Sequence, residues 1–242
     1  RIITKHVFPS AICITDHFHV IQELNRRVDR VRIRVQNRFR KTINTLKPKE
    51  NNKTITPEEI VELEEASRYY YVLKKFNWLL FSTNKKILDV NVDRKFNRTL
   101  NRYLNYSEIL DFMLAIDDEL EDAFYLRNDV TYFYDHCTYD TAKKQLEKII
   151  IDFRSSPIAE MSPFANTLTN WKREIINSFI IVDDKANRKM NTAIVENRNK
   201  SIKLIKHASN GYLNWERFRN RILYTLNEDT TFYYTSIRKD GK

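Results

Sequence analysis

The spacing of apolar and polar residues predicts helices along most of the chain. From His19 to about Leu46, apolar side chains recur every three or four positions, as they do on the buried face of an amphipathic helix. Similar patterns predict further helices at residues 57–81, 93–104, 106–126, 138–155, 163–180, 191–208 and 214–226. Only residues 11–16, "AICITD", have the β-rich composition of a strand. The predicted fold is therefore mainly α, with one or few strands.

Capping residues predict where several of these helices begin and end. The stretch 47–59, "KPKENNKTITPEE", is predicted to be a polar linker that leads into the N-cap Thr56 and the first-turn Pro57. Near the C-terminus, Gly211 is predicted to end a helix in the left-handed conformation, and Asn214 to cap the next helix. The chain has few other helix breakers, because it holds only two glycines and five prolines.

Aromatic residues are predicted to fill the core and the spaces between helices. Stacking on nucleic-acid bases is the alternative role for them. The residues concerned are Tyr69, Tyr70, Tyr71, Trp78, Phe112, Phe124, Tyr132 and Phe133.

The charge is strongly segregated along the chain. Residues 104–160 hold thirteen acidic and five basic side chains, a net charge of −8, so the remaining residues carry +18 to give the chain its net +10. Eight cations fall between residues 26 and 41: Arg26, Arg27, Arg30, Arg32, Arg34, Arg38, Arg40 and Lys41. A surface with one strongly positive face suits a polyanion, so the predicted partner is nucleic acid. The alternative is an ordinary basic protein with solvated helix faces.

Cysteine use and hydropathy bear on the compartment. Cys13 and Cys137 lie far apart without metal-ligand spacing, so we expect neither a disulfide framework nor a zinc site. No apolar run approaches the ~18–20 residues that span a bilayer. We therefore expect a cytoplasmic protein with no membrane partner.

A single carboxylate stands on the polar face of the basic helix predicted at 191–208. At 100° per residue, Glu196, Lys200, Lys203 and His207 fall on one face of that helix. The apolar residues Ile194, Val195, Ile202 and Ile205 fall on the opposite face. A surface Glu196–Lys200 pair at i, i+4 explains the carboxylate without any function.

Three motifs in order resemble the ISL3-type transposases of bacterial insertion sequences. They are "FPSAICITDHFHVIQELN" near the start, "FANTLTNWKREIINSF" at 164–179, and "NTAIVENRNKSIKLIKHASNGYLNWERFRNRIL" from residue 191. The sequence departs from the family pattern at Asn197, His207 and Trp215, where the family has glycine, arginine and phenylalanine. The resemblance covers nearly the whole chain.

The resemblance implies a ribonuclease-H-like core that is interrupted by a helical insertion. Residues 1–18 are then expected to contain the last strand of the core, residues 19–182 the insertion, and residues 183–242 the C-terminal core helices. The family also implies an Asp-Asp-Glu triad that holds Mg²⁺ or Mn²⁺. Its two aspartates precede the Phe8–Pro9 element, on strands outside this sequence.

Carried over residue by residue, the resemblance makes Glu196 the catalytic glutamate and a metal ligand. Asp16 follows the family's two aspartates, and we expect it to support the metal site or a helix N-terminus, with direct ligation as the alternative. The cations predicted to bind nucleic acid are Arg26, Arg27, Arg30, Arg34, Arg38, Lys200, Lys203, Lys206, Arg217 and Arg221. For the cations of the final helix, pairing with the acidic residues 117–122 is the alternative.

The predicted function is that of the C-terminal part of a DDE transposase, which binds element ends and target DNA and contributes the glutamate for strand cleavage and transfer. The alternative is a truncated, inactive transposase derivative that only binds DNA or dimerises. A helical RNA-binding module is a third reading, against which the motif order speaks. A homodimer is a further expected partner. We expect this chain alone neither to bind the metal ion nor to cleave DNA, since one carboxylate of three cannot build a two-metal site.

Overall fold

Helices make up most of the structure, a computed structural model that describes residues 10–183, 188–189 and 193–226. The chain divides into two compact units, residues 1–190 and 191–242. The first unit contains the helices α1 (His17–Asn51), α2 (Pro57–Lys75), α3 (Tyr106–Leu114), α4 (Asp118–His136), α5 (Tyr139–Ser155), α6 (Phe164–Asn170) and α7 (Lys172–Asn177). The second unit contains α8 (Ala193–Ala208) and α9 (Trp215–Leu226). The predicted mainly α fold is confirmed.

Two short antiparallel hairpins are the sheet structure of the described residues. The first pairs β1 (Lys95–Asn97) with β2 (Arg102–Leu104), and the second pairs β3 (Ile181–Asp183) with β4 (Arg188–Lys189). Across the described ranges, no helix is both long enough and apolar enough to cross a membrane.

The central helix of the first unit is α1, which packs against α2 and α4. Its buried face contains Leu24, Val28, Val31, Val35 and Leu46 of the predicted apolar series and also Val20, whereas Phe39 and Ile43, which the spacing also predicts to be buried, are only partly buried. The helix is longer than predicted at its C-terminal end, where it continues through Pro48 to Asn51. A proline so close to the end removes only one helical hydrogen bond, so part of the expected linker is helix.

The start of α2 confirms the predicted cap. The hydroxyl of Thr56 accepts a hydrogen bond from the backbone N–H of Glu59 at 3.3 Å, and the Glu59 carboxylate accepts one from Thr56 N at 3.1 Å. The helix ends at Lys75 instead of residue 81, and a 3-10 helix follows (Asn77–Phe81). That turn buries Leu79 and Leu80 completely.

The helix predicted at 93–104 is wrong, because these residues form the β1–β2 hairpin. Asparagine explains the error. The Asn97 side chain accepts hydrogen bonds from the N–H groups of Thr99 and Leu100 at 3.1 Å each, and Asn101 adopts a left-handed φ of 51°. Both features stabilise a hairpin turn and disfavour a continuous helix through these residues.

Two other predicted helices are each divided in two. The helix predicted at 106–126 breaks after Leu114, and Asp117 caps a new helix by accepting a hydrogen bond from Leu120 N at 3.1 Å. The helix predicted at 163–180 breaks at Trp171 into α6 and α7. The helices predicted at 138–155 and 214–226 agree with α5 and α9 to within one residue, and that predicted at 191–208 agrees with α8 from Ala193 onward; residues 191 and 192 lie outside the described ranges.

Residues 11–16, predicted as a strand, are not paired with any strand in the described part of the chain. Their backbone groups bind to α7 instead. Thr15 N donates to the carbonyl of Glu174 at 3.1 Å, and the Asn177 side chain donates to the carbonyl of Cys13 at 2.9 Å. These two hydrogen bonds replace the ladder that a strand would make. The assignment of residues 1–18 to a ribonuclease-H-like core stays a prediction.

The aromatic residues mostly serve packing, as predicted. Phe133 is fully buried, and Tyr69 lies between Phe39 and Phe112 with ring centroids 5.1 and 5.9 Å away. Tyr132 differs, because it is 58% exposed and stacks on His136 of its own helix.

The α8–α9 connection confirms the predicted turn and corrects one detail. The N–H of Gly211 donates to the carbonyl of Lys206 at 2.9 Å, and that of Asn210 to the carbonyl of His207 at 3.0 Å. This is a Schellman arrangement, in which the left-handed residue that closes α8 is Asn210 (φ 51°). Gly211 follows with a φ of 98°, and Asn214 caps α9 as predicted.

Candidate nucleic-acid interface

The outer side of α1 carries an exposed row of cations. We call Arg26, Arg30, Arg38, Arg40 and Lys41 the α1 basic face, since all five side chains are exposed. A groove of about 590 Å³ runs beside it, and five of its eight lining residues are cationic: Arg30, Arg34, Arg38, Arg40 and Lys41. The row exists because residues four apart fall on the same side of a helix.

Arg27 belongs to the fold, although the sequence placed it among the nucleic-acid contacts. Its side chain is 15% exposed, and it pairs with Glu23 at 3.2 Å. A second nitrogen donates to the carbonyl of Glu160 at 2.9 Å, and the guanidinium lies over the ring of Phe164. These contacts join α1 to the segment that precedes α6.

Arg34 and Arg38 have carboxylate partners from distant parts of the chain. Arg34 donates to both carboxylate oxygens of Glu160, at 2.8 and 3.0 Å, and also pairs with Glu119. The hydrogen bond with Glu160 raises the pKa of Arg34 above its ordinary value, and Arg34 in turn lowers the pKa of Glu160. Arg38 pairs with Asp117, the N-cap of α4.

Two residues of the acidic stretch 117–122 pair with α1: Asp117 with Arg38 and Glu119 with Arg34. Pairing of this stretch with the cations of the final helix stays a prediction. By contrast, the described ranges hold no ion pair for Arg30, Arg40 or Lys41. These three residues of the α1 basic face therefore carry charge without an ion pair, although Arg30 is near enough to Glu160 to help lower the pKa of that carboxyl.

The second unit contains Glu196 and the predicted nucleic-acid contacts of α8 and α9. Glu196 lies in the first turn of α8, and its side chain is exposed together with those of Lys200, Lys203 and Lys206. On α9, Arg217 and Arg221 are exposed and one helical turn apart. The arrangement gives each helix of this unit a cationic side.

Asp16 acts at a helix N-terminus, one of the two supporting roles predicted for it. Its carboxylate is 10% exposed, accepts a hydrogen bond from Phe18 N at 2.8 Å and lies 3.4 Å from His17 Nδ1. Tyr134 lies nearby, and its pKa is raised by burial and, secondarily, by the charge of Asp16. The first N–H groups of a helix have no partners within the helix, and the Asp16 carboxylate supplies an acceptor for one of them.

The metal site implied by the resemblance was tested on the donor groups. Within residues 10–183, 188–189 and 193–226, no three His, Cys, Asp or Glu side chains come together where they could hold a metal ion. A two-metal centre needs several hard oxygen ligands around each ion. The described residues therefore do not fit such a centre by themselves.

Sequence reasoning missed one cluster, on the β1–β2 hairpin. Phe96 and Tyr103 form an exposed pair there, and the same hairpin carries the exposed cations Lys95, Arg98 and Arg102. The signal was available: "KFNRTLNRYL" has asparagines at both ends of a possible turn and no acidic residue.

Comparison with known proteins gives the family. A family model described as "Transposase", for DDE transposases of the ISL3 type, matches residues 1–222. This chain belongs to the ISL3-type DDE transposase family. Among curated proteins and among solved structures, no match was found.

Proposed function

We propose that the chain is the C-terminal part of a DDE transposase, which binds the element ends and target DNA and contributes Glu196 to a divalent-metal site for strand cleavage and transfer. The family match carries this proposal, because it extends to residue 222 and so includes α8 with Glu196. Transposases of the DDE type use divalent metal ions in general.

Glu196 is proposed as one ligand of Mg²⁺ or Mn²⁺. A carboxylate is a hard oxygen donor, as both ions prefer, and an exposed position in the first turn of α8 leaves it accessible. The remaining carboxylates must come from outside the described residues, since no sufficient cluster lies within them. The family pattern puts two aspartates before the Phe8–Pro9 element.

The cations of α8 are proposed to bind the DNA backbone beside that carboxylate. Lys200, Lys203 and Lys206 are exposed, and neutralising phosphates releases condensed counterions from the DNA. The proposal explains why a carboxylate stands among lysines: the carboxylate binds a cation and the lysines bind the polyanion.

On α1, we propose that Arg30, Arg40 and Lys41 make the main phosphate contacts. Arg26 and Arg38 are exposed but paired with Glu23 and Asp117, and Arg34 holds two carboxylates. A phosphate would have to replace these partners, so each paired cation should add less to binding than an unpaired one.

A homodimer and a cytoplasmic location stay predictions.

A second candidate is a transposase derivative that binds DNA without cleaving it. One observation favours this second candidate for the chain alone: the described residues hold no group of three side chains that could bind a metal ion. Both candidates predict DNA binding, and only catalysis separates them.

Strand cleavage by a chain that includes the upstream region tests the proposal. With Mg²⁺ present, Glu196→Gln should abolish cleavage and leave DNA affinity within about twofold, because the amide keeps the size of the side chain and removes its charge. Glu216→Gln is the matched control, since Glu216 is also exposed in the first turn of a helix. It should cleave normally.

Lys200→Ala should weaken DNA binding modestly and leave cleavage detectable, because it removes one phosphate contact among several. Cleavage that survives Glu196→Gln would rule out the catalytic role of Glu196. No cleavage by the wild-type chain with its upstream region would favour the second candidate.

A further inference from the structure

The β1–β2 hairpin presents two aromatic rings to solvent on one face. Phe96 and Tyr103 are directly opposite each other in the strand register, with ring centroids 5.1 Å apart. They are 49% and 68% exposed. Cross-strand aromatic pairs normally stabilise a sheet by packing against further side chains. Here much of the surface of both rings is available to a partner.

The exposure is not the result of a loosely attached loop. Leu100, at the hairpin turn, is buried, and Asn97 fixes the turn through two backbone hydrogen bonds. At the other end, the buried Asn105 caps α3 and also donates to the carbonyl of Val90 at 3.0 Å. Arg94 pairs with Glu108 on the same helix. The hairpin therefore holds both rings in place before any partner binds.

The charged side chains of the hairpin segment are all positive, although Glu65 and Glu108 line the same cavity as Arg102. Residues 94–104 contain four cations and no acidic residue. Lys95, Arg98 and Arg102 are exposed, and no carboxylate pairs with them in the described part of the chain. Strand alternation puts Lys95 and Arg102 on the face opposite the rings, but a two-stranded ribbon is narrow and leaves both faces open to one extended ligand. The surroundings thus favour a polyanion.

Two exposed tyrosines of α4 show the contrast. Tyr125 and Tyr132 are 54% and 58% exposed, and each lies three residues, about one helical turn, after an aspartate, Asp122 or Asp129. An acidic surface repels phosphates. Aromatic exposure and unpaired positive charge coincide at the hairpin and not on α4.

We propose that the β1–β2 hairpin binds single-stranded DNA, with Phe96 and Tyr103 stacking on unpaired bases and Lys95, Arg98 and Arg102 neutralising phosphates. Unpaired bases expose the π-faces on which such rings stack, whereas the bases of a duplex cover each other. The choice of DNA over RNA rests on the proposed function. The hairpin adds to that function a specific contact with unpaired strands, separate from the α1 basic face.

Fluorescence anisotropy with a labelled oligothymidylate, and with a duplex of equal length, tests this proposal on the whole chain. Phe96→Ala and Tyr103→Ala should each weaken binding of the oligothymidylate about tenfold, as expected when one stacked base is lost. Both variants should leave duplex affinity within about twofold of wild type. Tyr103→Phe should bind normally, because it keeps the ring.

The cations have a separate signature in the salt dependence. The triple variant Lys95→Gln, Arg98→Gln, Arg102→Gln should flatten the plot of log affinity against log salt for the single strand by about 2, or about 0.7 for each lost phosphate contact. The aromatic variants should lower the affinity without changing that slope. Tyr125→Ala and Tyr132→Ala are the matched controls for loss of an exposed ring, and they should change neither quantity.

Three results would overturn the proposal: no binding of oligothymidylate by the wild-type chain, equal losses with both DNAs, or equal losses in the α4 controls. Circular dichroism of each variant verifies that the fold is kept. Affinity for duplex DNA distinguishes failure of the hairpin proposal from failure of the proposed function. If duplex binding persists and the hairpin variants have no effect, only the hairpin proposal fails; if duplex binding is absent, the proposed function fails.

Discussion

Arginines that look alike in the sequence differ in their partners on α1. Arg27 is enclosed by Glu23, the carbonyl of Glu160 and a phenylalanine ring, whereas Arg30, one turn further, is exposed. Arg34 lies between these extremes, because it is 40% exposed and bound to two carboxylates. The fold therefore uses some of the charge that the sequence assigned to nucleic acid.

Removing one arginine of each kind separates stability from binding. Arg34→Ala should lower the free energy of unfolding by about 1 kcal/mol, because it removes a bidentate pair that is only partly screened by water. Arg30→Ala should change stability by less than about 0.5 kcal/mol, as is usual for an exposed side chain without such a pair. Urea unfolding measures both values. Equal losses in the two variants would contradict the division of roles.

The pair also predicts a pH dependence. Arg34 lowers the pKa of Glu160 in the folded chain below its ordinary value of 4.5. The stabilisation is therefore complete above that value, and it is lost as the pH falls through the lower folded pKa. Urea unfolding from pH 7 down to pH 3 should show Glu160→Gln losing less stability than wild type. An identical loss in both would mean that the pair does not contribute.

Among the secondary-structure elements, the connection between α8 and α9 uses two positive φ angles in succession. Asn210 lies in the left-handed region that asparagine tolerates, but the φ of 98° at Gly211 suits glycine alone. A Cβ added at Gly211 would meet no atom within 4 Å. Any cost of a side chain there is therefore conformational and does not come from a clash.

Gly211→Ala should destabilise the end of α8 by about 1–2 kcal/mol because of that backbone strain. Asn210→Gly is the control, since glycine is favoured at the left-handed position of a Schellman arrangement and should not destabilise it. Hydrogen exchange of the backbone amides in the last turn of α8 reports both effects. Slower or unchanged exchange in Gly211→Ala would contradict this account.

The elements differ in how well the sequence predicts them, for physical reasons. Long periodic segments with local caps, such as α1 and the start of α2, are specified by nearby residues, and the sequence predicts them correctly except for the last turn of α1, which continues to Asn51. The β1–β2 hairpin was missed, because its apolar spacing also fits a helix and two asparagines decide the outcome. Residues 11–16 were misassigned, because their partner is α7, more than 150 residues away.

The candidate site shows the same limits. The motif that contains Glu196 and its lysines was readable in the sequence, and the family match includes it. The pairing of Arg34 with Glu160 and Glu119 could not be predicted from the sequence. These residues are far apart along the chain and meet through packing of α1 with its neighbours.

On the scale of the whole molecule, the segregated charge is distributed over defined elements. The acidic stretch 104–160 gives three carboxylates to α1, those of Asp117, Glu119 and Glu160, while Arg30, Arg40 and Lys41 have no ion pair in the described ranges. The second unit adds exposed cations on α8 and α9. The chain belongs to a transposase family, and the exposed cations of both units suit DNA, their proposed ligand.

Duplex affinity measured over a series of salt concentrations tests the central claim most directly. Log affinity should fall linearly with log salt, and replacing Arg30, Arg40 and Lys41 with glutamine should flatten the slope by about 2 to 3, or about 0.9 for each lost phosphate contact. The same replacement at Lys143, Lys144 and Lys148 of α5 removes equal charge from exposed positions and should leave the slope nearly unchanged. Equal flattening by both variants, or no measurable binding at about 50 mM salt, would contradict DNA binding through the α1 basic face.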